Sequence, residues 1–263
     1  MLKTIVGVVG LVAPPKQVAM PGGAILRRGS PSELAHYLGG DDGIQIPQVA
    51  YFEDVLVFVP ASPEPAIAVL ERLETVLQLS VNSAVGLYTS RDERGVLLGS
   101  SRGIQVGTYC TNRELPVAPD SVEVTRWLGL WNAIESTADT DTALRIRRGL
   151  RRYQRALEES DDEAIFHLVA ASEAIVSPNN TDGGPRSRFM NRLSKVVAAR
   201  PSQRKRIQEE LGYFWSRRSG FAHGGGSLDC TSVDVLRAHV HRLLQAALID
   251  PARFAANRVA NLG

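Results

Sequence analysis

An aromatic and basic segment near the C-terminus reads Tyr213-Phe214-Trp215-Ser216-Arg217-Arg218-Ser219-Gly220-Phe221-Ala222-His223-Gly224. Arginine carries a permanent planar cation, and histidine is the side chain that titrates near neutral pH. Arg218 and His223 stand five positions apart, within about one to two turns of a helix. A cation that holds a phosphate beside a group that moves a proton is the combination required for phosphodiester cleavage. The segment therefore predicts a phosphodiester-cleaving site, with either Arg217 or Arg218 as the phosphate contact.

The sequence on both sides of this segment has the periodicity of helices. Apolar residues recur at helical spacing over residues 120–250, and breaks are expected at Pro201 and at Gly224–Gly226. Helix starts are predicted at Asp120 with Glu123, at Asp141, and at Ser160 with Glu163, and further helices near 187–199, 202–218 and 231–249. We expect this region to form an all-α domain of five or six helices.

The helix predicted to begin at Asp141 separates its apolar and basic residues. The residues predicted to face inward are Leu144, Ile146, Leu150, Tyr153 and Leu157. The residues predicted to face outward are Arg147, Arg148, Arg151, Arg152 and Arg155. Residues 1–140 have a net charge of −5 and residues 141–263 a net charge of +7. This imbalance indicates that the C-terminal half faces a polyanion, with solvated arginine-rich helix faces as the alternative.

The run from Tyr213 through Arg217-Arg218-Ser219 to His223-Gly224 resembles the RX4-6H signature of the HEPN (higher eukaryotes and prokaryotes nucleotide-binding) superfamily, and above all of its Apea-like branch. A second block resembles the helix pair that precedes this signature in the same branch. That block comprises Tyr153–Leu157, the acidic turn Asp161–Glu163 and Phe166–Ile175. The resemblance covers roughly residues 120–250 and does not extend to the N-terminal half.

The resemblance implies a HEPN-like helical bundle that forms a homodimer, with two copies of Arg218 and His223 lining one cleft. It implies a metal-independent endoribonuclease, a hydrolase without cofactor or metal, whose products end in a 2′,3′-cyclic phosphate. His223 would move the proton, and Arg218 would neutralise charge on the phosphoryl oxygens. A role in bacterial antiviral defence or as a toxin is implied by the resemblance alone.

Several roles around this site have two interpretations. His223 is either the proton carrier or a histidine that ends a helix and caps a carbonyl. Glu173 either forms a buried salt bridge to an arginine or orients Arg218 across the bundle. Tyr213 likewise has either a structural role or a role at the site. The aromatic side chains of Phe214, Trp215 and Phe221 either belong to the core or to a dimer interface, or form a platform on which bases stack. Ser219 stands where catalytic members often carry Asn, Asp or His.

These alternatives leave two main hypotheses for the function. The first is the endoribonuclease described above. The second is a catalytically inactive HEPN dimer that binds nucleotide or RNA or serves as an assembly module. A helical signalling protein recruited through its N-terminal domain is a third hypothesis.

The N-terminal part mixes short strand and helix patterns. Strands are predicted over Leu2–Val12, Gly43–Tyr51, Val55–Val59, Ser83–Tyr88 and Gly103–Tyr109. A capping box at Ser30–Glu33 begins one helix, which continues into Leu34–Leu38, and Ser62-Pro63 begins another, whose Ile67, Leu70, Leu73 and Leu77 share a face. The expected fold class is α+β, with a mixed α/β domain over residues 1–118 and the helical domain over residues 119–263. The first would be a sensor or regulatory domain for a ligand or protein partner that the sequence does not identify.

Composition sets further limits on the function. The chain has 263 residues, of which 44% are hydrophobic, enough for two domain cores. Its two cysteines, Cys110 and Cys230, give neither a disulfide framework nor metal-ligand spacing, which favours a reduced, cytoplasmic protein. His239 and His241 are an i, i+2 pair on different helix faces, which argues against shared metal binding. No apolar run is long enough to cross a membrane, and the opening Val-rich run predicts a buried strand rather than a signal peptide.

Overall fold

A computed structural model describes residues 4–9, 16–20, 23–33, 55–59, 66–81, 86–92, 97–99, 121–137, 140–159, 161–177, 184–222, 230–259 and 262. The chain divides into two compact units. The first comprises Met1–Gly107 with Thr111–Asn132, and the second Thr108–Cys110 with Ala133–Gly263. The domain boundary predicted between residues 118 and 119 stays a prediction, because residues 100–120 lie outside the described ranges.

The first unit contains an antiparallel sheet of six described strands in the order β2-β3-β4-β1-β5-β6. The strands are β1 Thr4–Val9, β2 Val18–Ala19, β3 Ile25–Arg28, β4 Val55–Val59, β5 Gly86–Asp92 and β6 Leu97–Gly99. Strand β1 lies between β4 and β5, with Val6 opposite Val57 on one side and opposite Ser90 on the other. The strands predicted at Gly43–Tyr51 and Gly103–Tyr109, and the helix segment at Leu34–Leu38, fall outside the described residues.

The capping box predicted at Ser30 is confirmed. The backbone N–H of Ser30 donates to the Glu33 carboxylate at 2.8 Å, and the Glu33 N–H donates to Ser30 Oγ at 3.4 Å. Helix α1, Ala66–Val81, buries Leu73 and Leu77 as predicted, whereas the side chains of Ile67 and Leu70 lie outside the described set. The Arg72 guanidinium of α1 lies 5.2 Å from the ring centroid of Trp131.

The remaining helices follow the predicted order. They are α2 Ser121–Glu135, α3 Asp141–Glu158, α4 Asp161–Val176, α5 Pro185–Val197, α6 Arg204–Ala222, α7 Cys230–Ile249 and α8 Ala256–Val259. Short 3-10 helices occupy Pro201–Gln203 and Pro251–Phe254. The described residues therefore have an α+β composition, with the sheet in the first unit and helices α3 to α8 in the second.

Helix α3 begins after Thr140, whose side chain accepts a hydrogen bond from the Ala143 N–H. Its buried stripe is formed by Ala143, Ile146, Leu150, Tyr153 and Leu157. Leu144 was predicted to face inward, and this prediction is wrong, because Leu144 is 45% exposed. The buried residues of α3 are spaced alternately three and four positions apart, and this stripe already includes Ala143. The next residue, Leu144, is rotated by about 100° from Ala143 and therefore points away from the core.

Helix α4 is the centre of the second unit and packs against α3, α5, α6 and α7. Its approach to α3 is close at Gly149, where an added Cβ would lie 2.9 Å from Ile175 Cδ1. The C-terminal carbonyls of α4 accept hydrogen bonds from buried arginines: Arg145 donates to the oxygen of Ile175 at 2.9 Å, and Arg192 to that of Val176 at 2.7 Å. Cations at a helix C-terminus complement the helix dipole, so these arginines fix the end of α4.

The predicted end of α6 near residue 218 is wrong, because the helix continues to Ala222. Serine and glycine are weak helix formers rather than absolute stops, and a helical glycine costs roughly 1 kcal/mol relative to alanine. Ser219 and Gly220 are therefore accommodated within the last turn. Arg218 thus lies inside a continuous helix, one turn before its end.

Candidate functional site

Arg218 projects from the last part of α6 toward α4. The centre of its guanidinium lies 5.0 Å from the ring centroid of Trp215 and 5.6 Å from that of Phe166. Trp215 is one turn earlier on α6, and Phe166 belongs to α4. Aromatic faces attract a guanidinium through their quadrupole, and a stacked guanidinium loses much of its rotational freedom. The two rings therefore hold Arg218 in a defined orientation.

Glu173 is the acidic partner of Arg218. Its Oε2 atom lies 3.1 Å from Arg218 Nη1, and the two side chains are 23% and 27% exposed. Burial raises the pKa of the Glu173 carboxyl above its usual value, and the charges of Arg218 and Arg188 oppose this rise. The carboxylate is thus partly desolvated and lies near the charges of Arg218 and Arg188. Its contact with Nη1 holds one edge of the planar Arg218 guanidinium in place.

The spacing on α4 explains how one arginine contacts both Phe166 and Glu173. The two residues are seven positions apart, two turns along the same helix face. Ala170 lies between them on that face. Phe166 was missed from the sequence as a site residue, although its i, i+7 relation to Glu173 is a signal that could have identified it.

Arg217 has a different environment from Arg218. Its guanidinium lies 5.5 Å from the ring centroid of Tyr213, one turn earlier on α6. Tyr213 is 44% exposed and contacts Phe214 edge to face, with ring centroids 5.5 Å apart. The half-buried Arg217 and the exposed Tyr213 therefore form a pair on a neighbouring face of α6, and the described contacts connect Arg218 rather than Arg217 to Glu173.

The remaining predicted site residues divide between the described and undescribed parts of the chain. Ser219 is described and exposed. His223 lies outside the described residues, and Phe221 belongs to α6, but its side chain is not among those described. Phe214 is core, since it is 3% exposed, and Trp215 packs against Phe189 with ring centroids 5.4 Å apart.

The three described histidines make contacts within the helical unit. His239 Nε2 lies 3.1 Å from the Glu210 carboxylate, and the His241 ring stacks on Tyr153 with centroids 6.2 Å apart. Both side chains are buried, as expected for packing residues. His167 Nδ1 lies 3.3 Å from Arg152 Nη1, and burial lowers the pKa of this histidine, with a smaller effect from the charges of Arg152 and Arg155.

The described ranges contain no arrangement typical of a metal site or of a membrane-spanning helix. Among these residues, no three His, Cys, Asp or Glu side chains converge as a metal site would require. In the same part of the chain, no helix is both long and apolar enough to span a membrane.

No protein-family model, curated protein or solved structure gives a significant match to this chain. The resemblance to HEPN proteins accordingly rests on the residues quoted in the sequence analysis. The geometry of Arg218 is the observation on which a functional proposal can be built.

Proposed function

We propose that this chain is a metal-independent endoribonuclease of the HEPN type. The observation that supports it is the environment of Arg218. A cation needed for phosphate recognition is stacked between Trp215 and Phe166, and Glu173 contacts one of its terminal nitrogens. A cation fixed before substrate arrives does not have to be ordered when charge develops, which is how preorganised sites lower a reaction barrier.

The proposed reaction is attack of an RNA 2′-hydroxyl on the adjacent phosphorus. A basic histidine takes the proton of the 2′-hydroxyl, the new P–O2′ bond forms, and the P–O5′ bond breaks. A protonated histidine gives its proton to the leaving 5′-oxygen. The products are a 2′,3′-cyclic phosphate and a 5′-hydroxyl. In this scheme His223 moves the proton, and Arg218 neutralises charge on the non-bridging oxygens.

The proposal includes a homodimer. Two positions five residues apart on an ideal helix are rotated by about 140° relative to each other, so Arg218 and His223 of one chain need not face a common ligand. Packing two copies about a two-fold axis brings both pairs to one cleft. In the same proposal the first unit serves as a sensor or regulator, and the protein acts in the cytoplasm in defence or as a toxin.

A second candidate function is favoured by the same contact. Glu173 already offsets part of the Arg218 charge, and Arg218 is only 27% exposed. Such an arginine suits a structural link between α4 and α6 as well as a phosphate contact. The alternative is a catalytically inactive dimer of the same type that binds nucleotide or RNA, or serves as an assembly module.

Incubating the pure protein with total RNA in EDTA and mapping the cut ends distinguishes the two candidates. The endoribonuclease predicts cutting that persists in EDTA, ends bearing a 2′,3′-cyclic phosphate, and a bell-shaped dependence of rate on pH. Binding without cutting at any pH would instead support the inactive dimer. Cutting that EDTA abolishes and a divalent metal restores would contradict the mechanism.

A further inference from the structure

The exposed face of α3 carries four arginines: Arg148, Arg151, Arg152 and Arg155. Their spacing of i, i+3, i+4 and i+7 places them along one side of the helix for about 10 Å. Within the described ranges, no carboxylate pairs with Arg148, Arg151 or Arg155. We call these four residues the arginine track. They form a continuous strip of positive charge on the second unit.

The arginine track is connected to Arg218 by direct contacts. Arg152 Nη1 lies 3.3 Å from His167 Nδ1, and the His167 ring lies 5.7 Å from the ring of Phe166. Phe166 in turn stacks on the Arg218 guanidinium at 5.6 Å. Because the pKa of His167 is lowered, mainly by burial, its ring is neutral at neutral pH and can accept a hydrogen bond from Arg152. One residue of the track, Arg152, is therefore linked to Arg218 through the side chains of His167 and Phe166.

We propose that the arginine track binds the phosphate backbone of single-stranded RNA and leads it to Arg218, an inference that rests on the proposed function. Planar guanidinium groups match phosphate oxygens with two parallel hydrogen bonds, and their spacing along α3 suits a chain of successive charges. The four track residues are all charged, and Leu144, which is exposed one turn before Arg148, is a single apolar side chain, too little for insertion into a bilayer. The link from Arg152 to Arg218 favours an RNA substrate over an acidic protein as the ligand of the track.

The test measures binding separately from cutting. A fluorescein-labelled single-stranded RNA with 2′-O-methyl groups lacks the attacking hydroxyl, so its anisotropy reports affinity alone. The variant R148Q/R151Q/R155Q leaves the Arg152 contact with His167 intact. Loss of three phosphate contacts should reduce the slope of log affinity against log salt by about 2, at roughly 0.7 for each contact on a single strand.

Two matched variants control for charge and folding. K205Q/R242Q/R258Q removes the same charge from other exposed positions of the second unit and should keep the slope of the parent. R148K/R151K/R155K keeps the charge of the track and should retain most of the salt dependence. Circular dichroism and melting temperature then show whether the glutamine variant is folded.

The outcomes separate the two proposals. If the folded glutamine variant keeps the parent's slope of log affinity against log salt, the proposed role of the arginine track is wrong, even if the parent cuts RNA. An equal loss in the control triple also overturns it, because the effect would then be general electrostatics. Tighter binding of anionic vesicles, an acidic peptide or duplex DNA than of the RNA would overturn RNA as the occupant. A parent that binds the methylated RNA through the track but never cuts unmodified RNA contradicts the endoribonuclease and supports the track.

Discussion

Glu173 of α4 and Arg218 of α6 form an ion pair of 3.1 Å in which neither side chain is more than 27% exposed. Arg218 is also stacked between two aromatic rings, so its position depends on α4 as much as on its own helix. A change at Glu173 or Phe166 should therefore alter the orientation of the cation without removing it. This relationship makes the role of Arg218 testable from residues that do not themselves touch the phosphate.

Substitutions of Arg218 should separate a phosphate clamp from a structural link. If Arg218 contacts the reacting phosphate, R218A should reduce both cutting and RNA affinity, while H223A should abolish cutting and leave affinity nearly unchanged. R218K keeps the charge but loses the planar fork and should cut far more slowly than the parent. Single-turnover rates and anisotropy measure the two effects. Cutting by R218A and H223A at the rate of the parent would refute the assignment.

Phe166 provides a second route to the same question. F166L removes the aromatic face but keeps an apolar side chain, so Arg218 should become less ordered while the fold survives. We expect a decrease in kcat of roughly fivefold or more with little change in KM, since about 1 kcal/mol or more of the cation–ring interaction is lost at a partly desolvated site. F166Y retains the ring and should behave like the parent. Equal rates for all three proteins would show that the stacking has no catalytic role.

The pKa of Glu173 gives a prediction about stability and pH. Burial raises this pKa in the folded protein above its usual value of 4.5, so the charged form is disfavoured by folding. The parent should therefore gain stability relative to E173Q as pH falls from neutral through the folded-state pKa toward 4.5. Melting temperatures of the two proteins across this range measure the difference. A difference that is constant with pH, or that shrinks on acidification, would contradict the raised pKa.

Arg145 should be more important for stability than its exposed neighbour on the same helix. It is buried and donates to the carbonyls of Ile175 at 2.9 Å and Phe254 at 2.8 Å. R145A leaves two buried acceptors without their donor and should lower the free energy of unfolding by roughly 2 to 4 kcal/mol. R148A, at an exposed position, should change it by less than about 0.5 kcal/mol. Urea unfolding of both variants provides the comparison, and equal losses would refute the role of Arg145.

The proposed dimer predicts a specific mass in solution. Sedimentation at micromolar concentration should give twice the mass of the chain, because the composite site needs two copies of Arg218 and His223. Mixing H223A with R218A should restore part of the activity if each cleft draws its residues from both chains. A strict monomer at this concentration would remove the argument for a composite site.

Much of the helical unit could be predicted from the sequence, because amphipathic spacing and caps are local signals. Thr140 and Asp141 begin α3, and Asp161 begins α4, within one residue of the predicted starts. Local signals also explain the errors. Leu144 is an apolar residue beside a stripe that already passes through Ala143, and α6 continues to Ala222, beyond its predicted end near residue 218.

The short strands and the full site depend on contacts that no local pattern contains. Strand β2 has two residues and β3 contains Arg27 and Arg28, so neither shows the alternation from which strands are recognised. At the site, the Glu173 contact was one of two predicted alternatives, and the observed pair with Arg218 fits both. The spacing of seven residues places Phe166 on the same face of α4 as Glu173, but its contact with Arg218 is set by the packing of α4 against α6.

The Arg145 bond to the Phe254 carbonyl has a practical consequence for dissecting this protein. Phe254 lies beyond the last long helix, in a short 3-10 segment that looks dispensable, yet its ring is fully buried. Any fragment of the second unit cut at the end of α7 would lose that ring and leave a buried cation facing an empty acceptor position. Expression of the helical unit alone should therefore extend at least through Val259, and earlier stop codons should yield aggregated rather than inactive protein.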